Sequence, residues 1–409
     1  MKENFFWGAS TSSHQVEGGN FNNWSVFERE KAKELLDRSL AEFSCITDRR
    51  ESKNEIRDAS SYVSAAGPDH YHLYRKDIQL MKKLGFNAYR FSVEWSRIEP
   101  IEGSFDNLQI KHYQDLVDEL LKNRIEPIVT LWHFALPVWF EKSGGFAKLD
   151  NVKKFGRYCE VISKSLKKVN YFLTINEPNI YASQSFLFGR WPPQTKNLIL
   201  AYNVYQNLKL AHRLSYKKIK KHRPRASISF AHNICHFEPH NNTLYNKLFC
   251  RVYSNFWNDD FIKSVKAELD FIALNFYFYN KIHWGKIKND NKKISDLGWE
   301  LKPESLYDVL VDLKKYNLPI MITENGLADS QDKYRSWFIR KSVEATKKAK
   351  GKGAKVIGYL HWALIDNFEW DKGYWPRFGL VGINYKNKKR IIRKSAKIYS
   401  KLIRQGCFK

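Results

Sequence analysis

Short apolar runs rich in β-branched and aromatic residues recur along the chain and alternate with longer stretches whose apolar side chains have helical spacing. The short runs predict buried strands, and the longer stretches predict amphipathic helices. Eight runs fit the strand pattern: Phe5–Ser10, Asn87–Trp95, Pro127–His133, Tyr171–Asn176, Ser227–Asn233, Asp270–Phe278, Pro319–Glu324 and Lys355–Trp362. Strand and helix alternate eight times, which predicts the α/β class and a (β/α)₈ barrel, also called a TIM barrel.

The length of 409 residues would suit either two average domains or one large barrel. No Pro-, Gly- or Ser-rich linker divides the chain, so we expect a single domain over residues 1–409. The stretch 28–66 fits the alternating plan least well, because it is charged and then rich in Ser and Ala. We expect it to form a helical or mobile excursion after the first strand.

Composition limits the cellular setting. The first eight residues lack the apolar core of a secretory signal, and no window approaches the length of a membrane span. The five cysteines are odd in number, widely spaced and without a CxxC pair, which argues against a disulfide framework or a zinc site. We therefore expect a reduced, cytoplasmic protein with no membrane partner.

The net charge of +26 raises the possibility of a nucleic-acid or other polyanion partner. Lysines cluster in 164–168, 217–221 and 347–355, on or beside segments with helical periodicity. Such clusters are typical of solvated outer helix faces. We therefore expect no nucleic-acid partner, although a basic protein that recruits polyanions stays a minor alternative.

Two glutamates follow apolar runs directly: Glu177 in the segment Thr174–Pro178 and Glu324 in the segment Ile322–Gly326. In a parallel barrel the carboxyl ends of the strands meet at one mouth, so these distant residues are expected to come together there. Two carboxylates that flank an anomeric carbon suffice to cleave a glycosidic bond, one as acid and one as nucleophile. Each glutamate taken alone could equally be a buried ion-pair partner.

Other polar and aromatic residues also stand near predicted strand ends. Arg90 near Glu324 would favour the ionised carboxylate, and Tyr277 could donate a hydrogen bond to it. Asn275 lies beside Tyr277 in the sixth run, and Asn176 is a natural partner for a sugar 2-hydroxyl. Candidate contacts for the rest of a sugar are Gln15, His133, Trp362, Glu369 and Trp370.

These candidates also have structural interpretations. His133 could be a core histidine with its hydrogen bonds satisfied, and Arg90 could only neutralise Glu94 or another buried acid. The chain has 13 tryptophans, so Trp362 and Trp370 could be packing residues.

The motifs resemble those of the family 1 glycoside hydrolases, which include β-glucosidases and β-galactosidases. The resemblance runs from end to end and is carried by Phe5–Gly18, Tyr89–Ile98, Thr174–Pro178, Ile322–Gly326, His361–Trp370 and Arg377–Leu380. It implies a retaining mechanism with Glu177 as general acid/base, Glu324 as nucleophile, and no metal or organic cofactor. It also implies support of Glu324 by Arg90 and Tyr277, and a grip on the non-reducing sugar by Gln15, His133, Asn176, Glu369 and Trp370.

The resemblance further implies an unphosphorylated sugar, since members that act on 6-phosphosugars have a smaller residue in place of Glu369, and the negative charge of Glu369 would repel a phosphate. Trp299 resembles a residue that lines the leaving-group side. The chain is shorter than many members, and the stretch 28–66 matches the family poorly. The leaving-group preference is therefore open.

The leading hypothesis is an exo-acting retaining β-glycosidase that releases terminal glucose, galactose or fucose from a small β-glycoside or oligosaccharide. An endo-acting β-glycanase of a related barrel clan is the alternative enzyme, although it would not explain Gln15, Glu369 and Trp370. A non-catalytic sugar-binding barrel is the alternative from another class. The preferred sugar and the oligomeric state stay open.

Overall fold

The computed structural model of the protein describes residues 5–47 and 53–406. Eight parallel strands form a barrel that closes through pairing of the fifth with the sixth strand. The barrel strands are β1 Phe6–Ser10, β2 Ala88–Ser92, β3 Glu126–Trp132, β4 Tyr171–Asn176, β5 Ser227–Pro239, β6 Ile272–His283, β8 Ile320–Asn325 and β9 Val356–Trp362. The predicted (β/α)₈ barrel is confirmed. The remaining strands are β7 Lys286–Ile287, β10 Val381–Asn384 and β11 Lys389–Ile392.

Helices surround the barrel. The α-helices are α1 Ser13–Val16, α2 Asn23–Thr47, α3 Lys53–Ile56, α4 His70–Leu84, α5 Trp95–Ile98, α6 Asn107–Lys122, α7 Val138–Lys142, α8 Asn151–Ser165, α9 Pro178–Tyr181, α10 Leu198–His222, α11 Leu244–Tyr253, α12 Asp260–Ser264, α13 Leu306–Asp312, α14 Arg335–Gly351 and α15 Lys394–Arg404. Two π-helical segments, Ala182–Leu187 and Ser254–Asp259, continue α9 and α11. Among the residues that the structure describes, no helix has the length and apolar content needed to cross a bilayer.

All eight predicted strands are present, and three of their ends differ from prediction by three residues or more. The second run predicts a strand to Trp95, but β2 ends at Ser92 and α5 begins at Trp95. The apolar run in the sequence extends beyond the end of β2 because Trp95 is also buried in the core. An apolar run alone cannot distinguish the end of a strand from the start of a buried helix that follows it. β5 and β6 extend beyond their predicted ends, because they pair with each other up to Pro239 and Ile282.

The excursion after β1 is helical. Most of the stretch 28–66 belongs to the long helix α2 and the short helix α3, while residues 48–52 of it lie outside the described part of the chain. Leu35 of α2 is fully buried, and Glu28 accepts a hydrogen bond from the Ser64 backbone amide at 3.1 Å. The helical alternative of the prediction is therefore confirmed.

The barrel interior is packed in layers. A cluster of buried side chains contributed by seven strands fills its lower part: Ala88, Ile128, Leu173, Ala231, Phe271, Ala273, Met321 and Leu360. Side chains alternate between the two faces of a strand, so residues two positions further along also point inward. Arg90, Asn275, Thr323 and Trp362 stand at those positions, one inward-facing layer closer to the carboxyl ends of their strands. The strand register that packs the apolar cluster therefore also determines which polar side chains point inward in the layer above it.

Gly8 in β1 offers a test of this packing. A Cβ atom at Gly8 would lie 1.8 Å from the carbonyl oxygen of Ala88, so β1 and β2 could not keep their separation. We expect Gly8→Ala to lower the free energy of unfolding by at least about 3 kcal/mol, measured by urea denaturation. Gly351→Ala is the matched control, because a Cβ there meets no atom within 4 Å. Equal stability of the two variants would contradict the close approach of the strands.

Candidate active site

A cavity of about 360 Å³ opens at the carboxyl end of the barrel strands. Eight of the predicted site residues line it: His133, Asn176, Glu177, Tyr277, Glu324, Trp362, Glu369 and Trp370. The other three, Gln15, Arg90 and Asn275, are buried behind this lining and hydrogen-bond to lining residues. The structure therefore brings all the predicted site residues together.

Glu324, near the end of β8, has both carboxylate oxygens occupied. The Arg90 guanidinium donates to Oε1, and the Tyr277 hydroxyl donates to Oε2 at 2.7 Å. Burial raises the pKa of the Glu324 carboxyl, while Arg90 and Tyr277 oppose that rise because both stabilise the ionised form. A carboxylate fixed between a cation and a hydroxyl donor is suited to act as a nucleophile.

Arg90 is fully buried, and its other nitrogens also have acceptors. One donates to Asn176 Oδ1 at 2.6 Å and another to Thr130 Oγ1 at 2.9 Å. Of the alternatives for Arg90, neutralisation of Glu94 is wrong, whereas neutralisation of another buried acid is confirmed, and that acid is Glu324. Glu94 instead accepts hydrogen bonds from three polar side chains, those of Ser13, Asn22 and Ser96.

Glu177 follows β4 at the start of α9, and neutral amides surround its carboxyl group. Asn233 and Asn275 donate to Oε1 at 3.1 and 2.9 Å. Burial raises the pKa of Glu177 to about 8, and the negative charge of Glu324 adds to the rise. Glu177 therefore keeps its proton at neutral pH, as a general acid must.

Asn275 connects the two carboxyl groups. Its Nδ2 also donates to Asn176 Oδ1 at 3.2 Å, and its Oδ1 accepts from the Thr323 hydroxyl at 2.8 Å. The amide is thereby held in one orientation, with its N–H groups directed at β4. Asn176 in turn lies 3.0 Å from His133 Nε2. The network extends from the acid to the far wall of the cavity.

That wall combines a carboxyl group with aromatic rings. Gln15 Nε2 donates to Glu369 Oε2 at 3.3 Å and to the Phe368 carbonyl at 2.7 Å. Burial raises the pKa of Glu369 to about 8, and the charge of Glu324 adds to the rise. The carboxyl of Glu369 is therefore protonated at neutral pH.

His133 lies between two tryptophans, with ring centroids 5.7 Å from Trp362 and 5.9 Å from Trp370. Burial lowers the pKa of His133 well below its ordinary value, so the ring is neutral. Within the described residues its Nδ1 is buried without a hydrogen-bond partner. A satisfied core histidine would have one, so the structural interpretation of His133 is not supported.

Sequence reasoning missed several residues of the cavity. Asn233 closes the fifth predicted strand, so the strand-end rule that selected the others would also have found it. The residues at the rim of the cavity do not follow a predicted strand, so this rule could not have found them. There Arg190 donates to Glu42 of α2 at 2.6 Å, and Lys372 donates to Asp371 at 2.8 Å. Trp299 lines the cavity with Phe378, as its resemblance to a residue of the leaving-group side predicted.

The model of glycosyl hydrolase family 1 matches residues 1–265 and 252–407. The chain belongs to glycosyl hydrolase family 1. The family 1 enzyme is 28% identical to a 1,4-beta-D-glucan glucohydrolase of Thermotoga neapolitana, over 99% of this chain and 98% of that protein. It is 27% identical to a beta-galactosidase of Pyrococcus woesei, over 98% and 96% of the two chains.

Solved structures agree with these relatives. A beta-glycosidase from Pyrococcus horikoshii superposes with a TM-score of 0.87 at 32% identity, over 99% of this chain and 95% of that one. A beta-glucosidase from Thermotoga maritima in complex with glucoimidazole superposes with a TM-score of 0.86 at 26% identity, over 98% of each chain. The family 1 enzyme is therefore an O-glycosyl hydrolase of the β-glucosidase type, with β-glycosidase activity.

The raised pKa of Glu177 predicts a stability effect. Between the ordinary value of 4.5 and about 8, the folded state binds a proton that the unfolded state has lost, so stability falls as pH rises. Glu177→Gln removes this dependence and keeps an oxygen that can accept the Asn233 and Asn275 hydrogen bonds. We expect the variant to gain stability relative to the parent on going from about pH 5 to about pH 8, by on the order of a few kcal/mol.

The measurement is urea denaturation of parent and variant at the two pH values. Glu344→Gln is the control, because Lys348 and Lys341 lower the pKa of that exposed glutamate and the same gain cannot arise. A stability difference between Glu177→Gln and parent that does not change with pH would contradict the protonated state of Glu177.

Proposed function

We propose that this enzyme is a retaining, exo-acting β-glycosidase that releases terminal β-D-glucose, and also galactose or fucose, from small β-glycosides or oligosaccharides. The observation that carries the proposal is the contrast between the two carboxyl groups. Glu324 lies between a guanidinium and a hydroxyl donor, whereas Glu177 contacts amides and has a pKa of about 8. Unlike environments of this kind assign the nucleophile and the acid.

In the first step Glu324 attacks the anomeric carbon while Glu177 donates its proton to the departing glycosidic oxygen. The sugar is left as an ester on Glu324, and the leaving group departs as an alcohol. In the second step Glu177, now a carboxylate, takes a proton from the water that attacks the anomeric carbon. The sugar is released with its β-configuration retained, Glu324 is free, and Glu177 carries a proton again.

The change of role by Glu177 has a physical cause in the cavity. The charge of Glu324 contributes to the raised pKa of Glu177. When Glu324 becomes an ester, that charge is gone, and the pKa of Glu177 falls. Glu177 therefore holds its proton while it must act as an acid, and releases it more readily before it must act as a base.

The wall around Glu369 supports an exo-acting enzyme. We assign Gln15, His133, Asn176, Glu369 and Trp370 to hydroxyl contacts with the terminal sugar, and the face of Trp362 to its C–H surface. Trp370 packs against Trp24, with ring centroids 4.8 Å apart, and against Trp191 at 5.9 Å. A polymer that continued past the terminal sugar would have to displace this aromatic cluster, which favours release of single sugars over internal cleavage.

The same wall supports an unphosphorylated substrate, although for a different reason than a fixed charge on Glu369. Burial raises the pKa of its carboxyl group to about 8, and the negative charges of Glu324 and Asp371 add to the rise. That negative field opposes a phosphate group, whether or not Glu369 is ionised.

The setting of the enzyme is part of the proposal. We infer a single catalytic domain over residues 1–409, since β1 pairs with β9 and the two ends of the chain thus share one barrel. A cytoplasmic location is supported by the free thiols of the four described cysteines, Cys45, Cys159, Cys235 and Cys250. Cys407 lies outside the described residues.

Replacement of the nucleophile tests the mechanism. Glu324→Gln keeps an oxygen that can accept from Arg90 but lacks nucleophilic charge. We expect turnover of an aryl β-D-glucopyranoside and its galactoside to fall by on the order of 10⁴ or more, measured as release of the aryl group. The parent's ratio of kcat/KM values ranks the two sugars.

The matched control is Glu126→Gln, at the start of β3 and thus at the opposite end of the barrel. It should retain parental turnover. If well-folded parent protein turned over neither substrate, the exo-glycosidase proposal would be wrong; a fully active Glu324→Gln variant would exclude Glu324 as nucleophile.

The pH profile tests the assignment of roles. We expect kcat/KM to decline above about pH 8, where Glu177 loses its proton, and to decline at low pH, where Glu324 gains one. Tyr277→Phe removes a donor that favours the ionised form of Glu324. The acid limb of the profile should therefore move up by about one pH unit, while the alkaline limb stays nearly in place. If the substitution moved only the alkaline limb, Glu324 would be the acid and Glu177 the nucleophile.

A further inference from the structure

Helix α11 presents an apolar face to solvent. Leu244, Leu248 and Val252 recur every fourth residue, and Phe256 continues the stripe into the next helical turn. All four are exposed, and Leu244 is 80% exposed. The opposite face, with Asn246 and Cys250, is buried against the body of the protein. Apolar stripes at this spacing normally face a core, so this one calls for a partner.

The β6–β7 hairpin extends the same face. Trp284 at its tip is 60% exposed, and its ring stacks on exposed Tyr245 with centroids 5.3 Å apart. The Trp284 backbone N–H donates to Asn246 Oδ1 at 2.8 Å, and the Tyr253 hydroxyl donates to the Gly285 carbonyl. Helix and hairpin are thereby fastened together. We define the α11 surface as the exposed side chains Leu244, Tyr245, Leu248, Val252, Phe256, Trp284 and Ile287.

The two segments that form the α11 surface carry charge of one sign. From residue 240 to residue 258 the chain has no acidic residue, and Lys247 and Arg251 of α11 are exposed. The hairpin segment 281–288 also lacks acidic residues, and it exposes Lys286 and Lys288. An apolar stripe with aromatic side chains and a basic border is typical of segments that lie in a membrane interface.

A second copy of the chain fits this surface poorly. A twofold contact places the same patch on both subunits, so the four basic side chains would meet their own counterparts without acidic partners between them. A nucleic acid would satisfy the charges and could stack on Trp284, but it would leave the aliphatic side chains of Leu244, Leu248 and Val252 in water. An anionic bilayer would both complement the basic side chains and bury the apolar ones, so it is the partner that fits the α11 surface best.

We propose that the α11 surface docks on the surface of an anionic phospholipid bilayer. Leucine, valine and phenylalanine side chains enter the boundary between headgroups and acyl chains, Trp284 and Tyr245 lie at the headgroup level, and the lysines and Arg251 contact lipid phosphates. Because β5 and β6 run from cavity residues Asn233 and Tyr277 to this surface, docking keeps the cavity close to the bilayer.

We expected no membrane partner from the sequence, on the ground that no segment is long enough to span a bilayer. Docking at the surface needs no spanning segment, and it does not conflict with the helix lengths observed in the described residues. Docking is also independent of the proposed hydrolytic mechanism, since the α11 surface contributes no residue to the cavity lining.

The test is co-sedimentation of the full chain with vesicles of phosphatidylglycerol and phosphatidylcholine in equal parts, and with vesicles of phosphatidylcholine alone. We expect the protein to pellet with the anionic vesicles, to stay in solution with the neutral ones, and to be released from the former by added salt. Failure to pellet with anionic vesicles at low salt would overturn the proposal.

Two matched pairs of variants locate the contact. Leu244→Ser should lower the bound fraction strongly, whereas Leu108→Ser on α6, also 80% exposed in the parent, should not. Lys247→Glu should weaken partitioning about tenfold, whereas Lys153→Glu on α8 should change it little. Unchanged melting in circular dichroism verifies that each variant is folded.

Equal binding by both members of each pair would place the contact elsewhere and overturn the assignment. So would a parent dimer in sedimentation velocity that Leu244→Ser dissociates, because the α11 surface would then be an interface between copies.

Discussion

The active site depends on one buried positive charge. Arg90 has no exposed surface, and a guanidinium cannot shed its proton to escape the cost of burial, so fixed acceptors must surround it. Those acceptors are Thr130 of β3, Asn176 of β4 and Glu324 of β8. The charge on the proposed nucleophile is therefore part of what makes the core of the barrel stable, and Arg90 in turn favours the ionised form of Glu324 against the effect of burial.

The rest of the cavity follows from electrostatic balance around that pair. Glu177 and Glu369 share the cavity with Glu324, and only Glu324 contacts the guanidinium. The pKa values of the other two rise to about 8, so both are neutral near pH 7. The Arg90–Glu324 pair and the two neutral acids leave the deep part of the cavity close to electrically neutral, which suits an uncharged sugar. In the proposed mechanism, Glu177 releases its proton once the charge of Glu324 is consumed.

Much of this arrangement is predictable from the sequence, because each barrel strand has two local signals: its apolar run and the polar residue that follows the run. Apolar runs located all eight strands, and the polar residue after a run, such as Glu177, located the mouth. The amide contacts of Asn233 and Asn275 were not predictable, since they depend on how neighbouring strands are staggered. The rim contact between Glu42 and Arg190 was equally inaccessible, because it joins α2 to a loop far along the chain and has no local pattern.

The α11 surface shows most clearly what a sequence pattern cannot predict. Periodicity establishes that a helix has an apolar face, but it cannot say what covers that face. In α4 the apolar side chains Ile78 and Met81 are buried against the barrel, while in α11 the equivalent stripe points outward and Asn246 points inward. The difference arises because Asn246 bonds to the hairpin backbone and to the Asn241 side chain, which holds the Asn246 and Cys250 side of α11 against the protein. A buried polar anchor therefore determines which face of the helix remains for a partner.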